Sequence, residues 1–466
     1  MGKENIDRRS FLKRLGLGAS AAGLTLVGCD NAGKKFTSAD SKGSKEPGEM
    51  TYRVNHNSND KVSILGYGCM RWPMKEAKEG ETQEIDQEEV NRLVDYAIEH
   101  GVNYFDTSPH YGRGQSEKVS GIALSRHPRD KYYIATKLST YLDEHGDNQY
   151  QASLDMYHKS MELLQTDYID YYLIHGAGIG GMERLHKRLL DIGLLDYLMK
   201  EREAGRIRNL GFSFHGDLEV FDHLMSMHPD VHWDFVQIQL NYADWQNAGG
   251  WNINADYLYD ELTKRDIPAV VMEPLLGGRL ASLPEHLNAK LKEQRPEESI
   301  ASWAFRYAGS YPNVLTVLSG MTYMEHLEDN LLTYSPLEPL TAEEKQLLED
   351  TGEELIKYPT VPCTACEYCM PCPYGINITA IFTHYNKCLT EGKLPRHKTD
   401  ANYTEARKAF LIGYDRSVPK LRQASHCIGC AQCEVHCPQS IKIPQRLHAI
   451  DDFVEKIKQN KEEVLA

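Results

Sequence analysis

The sequence predicts an α/β protein: a (β/α)8 TIM barrel followed by a small α-helical, cysteine-rich domain. Three observations carry this. Short apolar runs alternate with longer amphipathic segments from Val62 to Gly320; the runs number eight; and the segment after them abandons the alternation and carries most of the cysteines. Apolar strands alternating with helices indicate a parallel sheet covered on both faces. Eight such units in about 260 residues suit a closed barrel better than an open sheet. No G-x-G-x-x-G follows an early strand, which argues against a dinucleotide fold of the doubly wound kind.

The runs are VSILGYGCM, VNYFDTS, YYIATKL, YIDYYLIHG, IRNLGFSFHG, DFVQIQLNY, IPAVVMEPLLGG and VLTVLSGM. Between the first two lies DQEEVNRLVDYAIEHG, with Val90, Leu93, Val94, Ala97 and Ile98 at helical spacing and Gly101 as a stop. The barrel is expected over residues 51–340 and the cysteine-rich domain over 355–466. Apolar residues make up 41% and charged residues 26%, as in a globular chain. A net charge of −15, with no basic run beyond the first residues, argues against nucleic acid as a partner.

In such barrels the chemistry sits at the C-terminal ends of the strands. The second run ends in Asp106, with Tyr111 five residues on; the third ends in Lys137; the fourth ends in His175. Singly, each has a bland explanation: a helix cap, a solvated amine, a structural imidazole. Together they bring a carboxylate, a phenol, an amine and an imidazole to one mouth.

These residues, in NYFDTSPHYG, IATK and LIHG, resemble the aldo-keto reductase family, whose tetrad is Asp, Tyr, Lys and His. The resemblance covers roughly residues 51 to 335. It implies that Tyr111 gives the proton to a carbonyl oxygen as hydride arrives at carbon, and that Lys137 lowers the phenol pKa. Asp106 would hold Lys137, and His175 would orient and polarise the carbonyl. It also implies a nicotinamide cofactor, NADP or NAD, contacted by Ser213, Gln237, Met272, Gly320 and Asn330. The family's Ser-Asn pair is here Ser213-Phe214. Thr322 stands where an Arg commonly meets the 2′-phosphate of NADP, and Thr lacks the planar fork that pairs with phosphate.

Eight of the eleven cysteines lie in CTACEYCMPCP (Cys363, Cys366, Cys369, Cys372) and CIGCAQCEVHCP (Cys427, Cys430, Cys433, Cys437). The second is the ferredoxin pattern C-x2-C-x2-C-x3-C-P; the first is one residue shorter before its last cysteine. The resemblance is to an α-helical ferredoxin-type domain with 4Fe-4S clusters, two or, if the shorter motif fails, one. By analogy with two-cluster ferredoxins, Cys363, Cys366 and Cys369 would share a cluster with Cys437, and Cys427, Cys430 and Cys433 with Cys372. Disulfides and structural zinc are the alternatives. Cys69 and Cys388 match no motif. ITAIFTHYNKCLTEG and NYTEARKAFLIGYDRSVPKLRQAS, between the motifs, look helical.

The first thirty residues complete the organisation. Arg8-Arg9-Ser10-Phe11-Leu12-Lys13 resembles the core of a twin-arginine export signal, and Leu15 to Val27 is a short apolar stretch too small for a membrane span. Leu26-Val27-Gly28-Cys29 resembles a lipoprotein box, so residues 1–29 end either in a lipid-bearing Cys29 or in an ordinary cleaved signal. Residues 30–50 read as a disordered linker. The location implied is the periplasm or cell envelope, with membrane contact only through the leader or its lipid. Twin-arginine export suits a protein loaded with clusters before transport.

The expected function is an exported oxidoreductase acting on a small carbonyl/alcohol pair, its clusters relaying electrons to a redox protein or quinone-linked carrier. The alternative is a redox-sensing or regulatory subunit that binds nucleotide without turnover.

Overall fold

The structure is a computed structural model and describes residues 46–75, 83–248 and 253–460. The twin-arginine pair, the apolar stretch and Cys29 lie outside the described residues. The expected linker stops short of residue 50: the Gly48 N–H donates to the Ser335 carbonyl at 2.7 Å and Met50 is buried.

A hairpin of β1 (Tyr52–Val54) and β2 (Lys61–Ser63) precedes the barrel strands β3 (Leu65–Gly68), β4 (Tyr104–Asp106), β5 (Tyr133–Leu138), β6 (Ile169–Ile174), β7 (Ile207–Ser213), β8 (Phe235–Gln239), β9 (Ala269–Met272) and β10 (Val314–Ser319). These eight pair in parallel and in chain order, and β10 returns to β3 to close the barrel. The first apolar run therefore splits. Its first two residues, Val62 and Ser63, belong to β2, which pairs antiparallel with β1 and places Val62 among the side chains that fill the barrel interior with Tyr104, Tyr171 and Phe235. Only Leu65–Gly68 enters the barrel.

Helices cover the outside as the periodicity requires. In Gln87–Glu99 the Asp86 carboxylate caps the first turn by accepting from the Glu88 and Glu89 amides, and Val90, Leu93, Val94 and Ala97 face the core. Each Val or Leu so buried contributes roughly 1.5–3 kcal/mol before chain entropy is subtracted. Gly101, at φ +89°, ends the helix where a Cβ would meet the Tyr52 hydroxyl.

The cysteine-rich segment has its own core. Helices Ile378–Thr390, Tyr403–Ser417 and Ile443–Lys458 pack around Ile381, Phe382, Phe410, Tyr414 and Phe453. The second predicted helix ends before Pro419 rather than running on to Ser425, since Pro cannot donate to the helix ladder. Helix Ala342–Ile356 buries Leu348 and Leu355 against the barrel core, so the boundary expected at residue 355 falls between Ile356 and Val361. Barrel and cysteine-rich segment belong to one unit, Glu46–Ala466.

Candidate active site

Parallel pairing of β4, β5 and β6 brings three strand ends to one mouth. The buried Lys137 ammonium donates to Asp106 Oδ1 at 2.6 Å and to the Thr107 carbonyl at 2.8 Å. A buried ion pair is stable only when such extra bonds offset desolvation. Burial pushes the Asp106 carboxyl above the usual range, with Lys137 pulling it back down. Its Oδ2 is buried without a hydrogen-bond partner.

Tyr111 follows in the turn after β4, its ring centroid 4.8 Å from Lys137 Nζ and 6.0 Å from the His175 ring. The expectation that Lys137 lowers the phenol pKa is not met: Tyr111 is pushed well above 10, by burial first and then by the neighbouring Tyr368, Asp106 and Glu273. The ammonium is engaged by Asp106 and Thr107 and faces the ring. Tyr111 is accordingly a neutral proton donor here. His175 directly follows β6. Its Nδ1 lies 2.8 Å from Ser139 Oγ, which is itself hydrogen-bonded to Ser108. Burial, then Lys137, drives its pKa well below 6.5, so the imidazole is neutral. Nε2 faces the cavity mouth, and the tautomer in which Ser139 donates to Nδ1 is the one that puts the proton on Nε2.

Ser213, Gln237, Met272, Gly320 and Asn330 line the same cavity as the tetrad, about 530 Å³ in volume. Gln237 Oε1 is buried and unpartnered, while its Nε2 reaches Met272 Sδ at 3.5 Å. A free carboxamide acceptor beside the tetrad fits the N–H₂ of a nicotinamide carboxamide. Asn330 Nδ2 donates to Ser319 Oγ at 2.9 Å. Ser213 Oγ already accepts from the Gly176 amide at 2.8 Å, which makes it a brace for the loop after His175. Thr322 spends its hydroxyl on the Arg71 carbonyl at 2.9 Å, and Glu325 and Asp329 line this end of the cavity.

The cysteine-rich segment forms part of the cavity wall. Arg71 Nη2 donates to the Thr364 carbonyl at 2.8 Å, and Arg279 donates to Thr360 Oγ1 at 2.8 Å. Glu273, just past β9 with φ +54°, accepts from the Gly277 amide at 2.6 Å and is hydrogen-bonded to Thr364. At Gly277, φ +67°, a Cβ would stand 2.4 Å from Thr364 Cα. Gly277→Ala should therefore cost about 1–3 kcal/mol from the backbone conformation alone, read as a lowered Tm. An unchanged Tm would mean that residue 277 does not hold this left-handed conformation against Thr364.

Within the segment, the thiols fall into two groups. Cys363, Cys366, Cys369 and Cys437 line one small cavity with Ile378, Phe382 and Ile443. Cys372, Cys427 and Cys430 are the charge neighbours of Cys433. Ala365 (φ +51°), Glu367 (φ +64°), Gly429 (φ +78°) and Ala431 (φ +58°) take left-handed conformations between the cysteines. Non-glycine residues there cost of order 1–3 kcal/mol each and mark a loop shaped for a purpose. The Ala365 amide donates to Cys363 Sγ at 3.4 Å. The ten described cysteines, Cys69 and Cys388 included, are free thiols. Among the described residues no three His, Cys, Asp or Glu side chains converge closely enough for a single metal ion.

Tyr368, Glu273, Arg71 and Ser139 were not among the residues singled out from sequence. Tyr368 is a spacer between two cysteines, with no signal of its own. Glu273 had one: it follows a barrel strand directly, where chemistry sits.

Comparison with known proteins agrees with the architecture. The aldo/keto reductase family model matches residues 64–352. L-Galactose dehydrogenase of Arabidopsis thaliana is 25% identical over 321 residues, covering 65% of this chain and 93% of its own. The uncharacterized oxidoreductase YqkF of Bacillus subtilis is 23% identical over 334 residues, covering 66% of this chain and 99% of its own. Among solved structures, an aldo-keto reductase of Bacillus halodurans superposes with a TM-score of 0.51 at 23% identity, over 65% of this chain and 96% of that one, a likeness of fold. With the family model matched over more than half its length, the chain belongs to the aldo/keto reductase family of oxidoreductases.

Proposed function

We propose that the barrel interconverts a small carbonyl and its alcohol with a nicotinamide as hydride carrier. The carrying observation is that Tyr111 Oη and His175 Nε2 converge on one oxygen position, beside a cavity wall bearing the unpartnered Gln237 Oε1. A bound nicotinamide would supply or accept the hydride. Tyr111 transfers the proton at its hydroxyl, His175 Nε2–H orients the substrate oxygen, Lys137 and Asp106 fix the Tyr111 ring, and Ser139 holds the imidazole tautomer. Titration with NADH and NADPH followed by a carbonyl panel tests this; nucleotide binding with no turnover of any carbonyl would count against it. Because one relative is an L-galactose dehydrogenase, monosaccharides belong first among the alcohols tried.

Cofactor choice follows from the far end of the cavity. Glu325 and Asp329 oppose a 2′-phosphate, and Thr322 offers no guanidinium. NADH should bind at least as tightly as NADPH. An NADPH preference above about 100-fold, equivalent to about 2.7 kcal/mol, would contradict this.

The cysteine spacing supports 4Fe-4S clusters as a proposal: Cys363, Cys366, Cys369 and Cys437 would hold the first and Cys427, Cys430, Cys433 and Cys372 the second. Bound clusters would pass single electrons between the barrel and an outside carrier, a redox protein or a quinone-linked one. Arg8 and Arg9 would direct export of the loaded protein to the periplasm or envelope, with Cys29 available for a lipid anchor. The regulatory alternative has one observation in its favour, which is that Tyr368 sits on the tetrad.

A further inference from the structure

We infer that Tyr368, carried by the cysteine-rich segment, is a substrate-site residue whose hydroxyl fills the carbonyl-oxygen position and competes with substrate for it. The identity of the displaced group rests on the carbonyl reading above. The Tyr368 hydroxyl lies 3.1 Å from His175 Nε2 and is hydrogen-bonded to the Tyr111 hydroxyl. These are the two donors that a substrate oxygen needs, and both belong to buried residues. The Tyr368 and His175 rings meet edge to face, centroids 6.2 Å apart at 76°. Tyr368 itself is only half-buried and lines the same cavity as the tetrad, so its side chain borders the space a substrate would enter.

The tyrosine is held from behind. Four residues earlier, Thr364 is pinned to the barrel by Arg71 and Glu273, and the close approach of Gly277 leaves no slack there. Displacement is therefore a movement of the Tyr368 side chain and the short stretch around it, between Cys366 and Cys369, rather than undocking of the whole segment. Substrate affinity is the intrinsic affinity reduced by the fraction of molecules in which the oxygen position is free. The cysteine loop thereby sets how much substrate the barrel needs.

The test uses the full chain with saturating NAD⁺ and p-nitrobenzoate, an unreactive carboxylate whose oxygens require the same two donors. Tyr368→Phe keeps the ring and removes both hydrogen bonds. Calorimetric binding of p-nitrobenzoate should tighten about tenfold, the size expected from two neutral hydrogen bonds. Tyr368→Ala should tighten it at least as much. In turnover with p-nitrobenzaldehyde, Tyr368→Phe should lower KM by a similar factor without lowering kcat. Unchanged or weaker p-nitrobenzoate binding in both variants would overturn the inference. Tightened binding with no aldehyde turnover in any form would uphold the occupancy of the site and sink the carbonyl reading instead.

Discussion

Tyr111→Phe should lower the rate of carbonyl reduction by about 10²–10⁴, with nucleotide affinity unchanged. The phenylalanine keeps the ring that faces Lys137 Nζ at 4.8 Å and removes only the hydroxyl that delivers the proton. Burial and the neighbouring carboxylates keep that hydroxyl protonated, so its loss cannot be replaced by another acid of the tetrad: His175 is neutral and Lys137 is engaged by Asp106 and Thr107. Stopped-flow oxidation of NADH with p-nitrobenzaldehyde reads the effect. Full activity in the variant would remove Tyr111 from the chemistry. Lys137→Met is a less clean probe, because it strands a buried carboxylate at a cost of about 3–5 kcal/mol.

Purified anaerobically, the protein should contain about eight irons and eight inorganic sulfides. Cys366→Ala should empty the group that includes Cys437, and Cys430→Ala the group around Cys433, each halving the iron. Four irons in the unmodified chain would mean that the shorter first motif holds no cluster; zinc in place of iron would end the relay. If the proposed twin-arginine route exports the protein, a route that favours folded cargo, either cysteine variant should also accumulate precursor in the cytoplasm. Arg8→Lys with Arg9→Lys should do the same with iron content intact. Normal export of the double-lysine form would mean the leader is read by another route.

The barrel was legible because its signal is periodic. Eight apolar runs separated by amphipathic stretches leave few alternatives, and strand ends announce where Asp106, Tyr111, Lys137 and His175 meet. The split of the first run was not legible: Val62 and Leu65 are both apolar, and only the closed barrel shows that one fills its interior from a hairpin while the other lies in a barrel strand. Electrostatic sign was also hidden. Sequence places Lys137 beside Tyr111, but whether the ammonium faces the hydroxyl or the ring depends on what else it bonds. Most hidden was Tyr368. Within a cysteine motif every intervening residue reads as spacer, and nothing local indicates that one of them reaches the tetrad of another domain. Contacts between two hydrophobic cores far apart in sequence are long-range facts, visible only in the tertiary structure.

Direct passage of hydride between nicotinamide and substrate carbon at the Tyr111 mouth is the central step of the proposed reaction. The measurement that meets this head-on is isotope transfer from NADH dideuterated at C4 to p-nitrobenzaldehyde, with the alcohol analysed by mass spectrometry. Direct transfer leaves one deuterium on the carbinol carbon for every NADH consumed. An alcohol carrying only solvent hydrogen, or NADH consumed without alcohol formed, would contradict it.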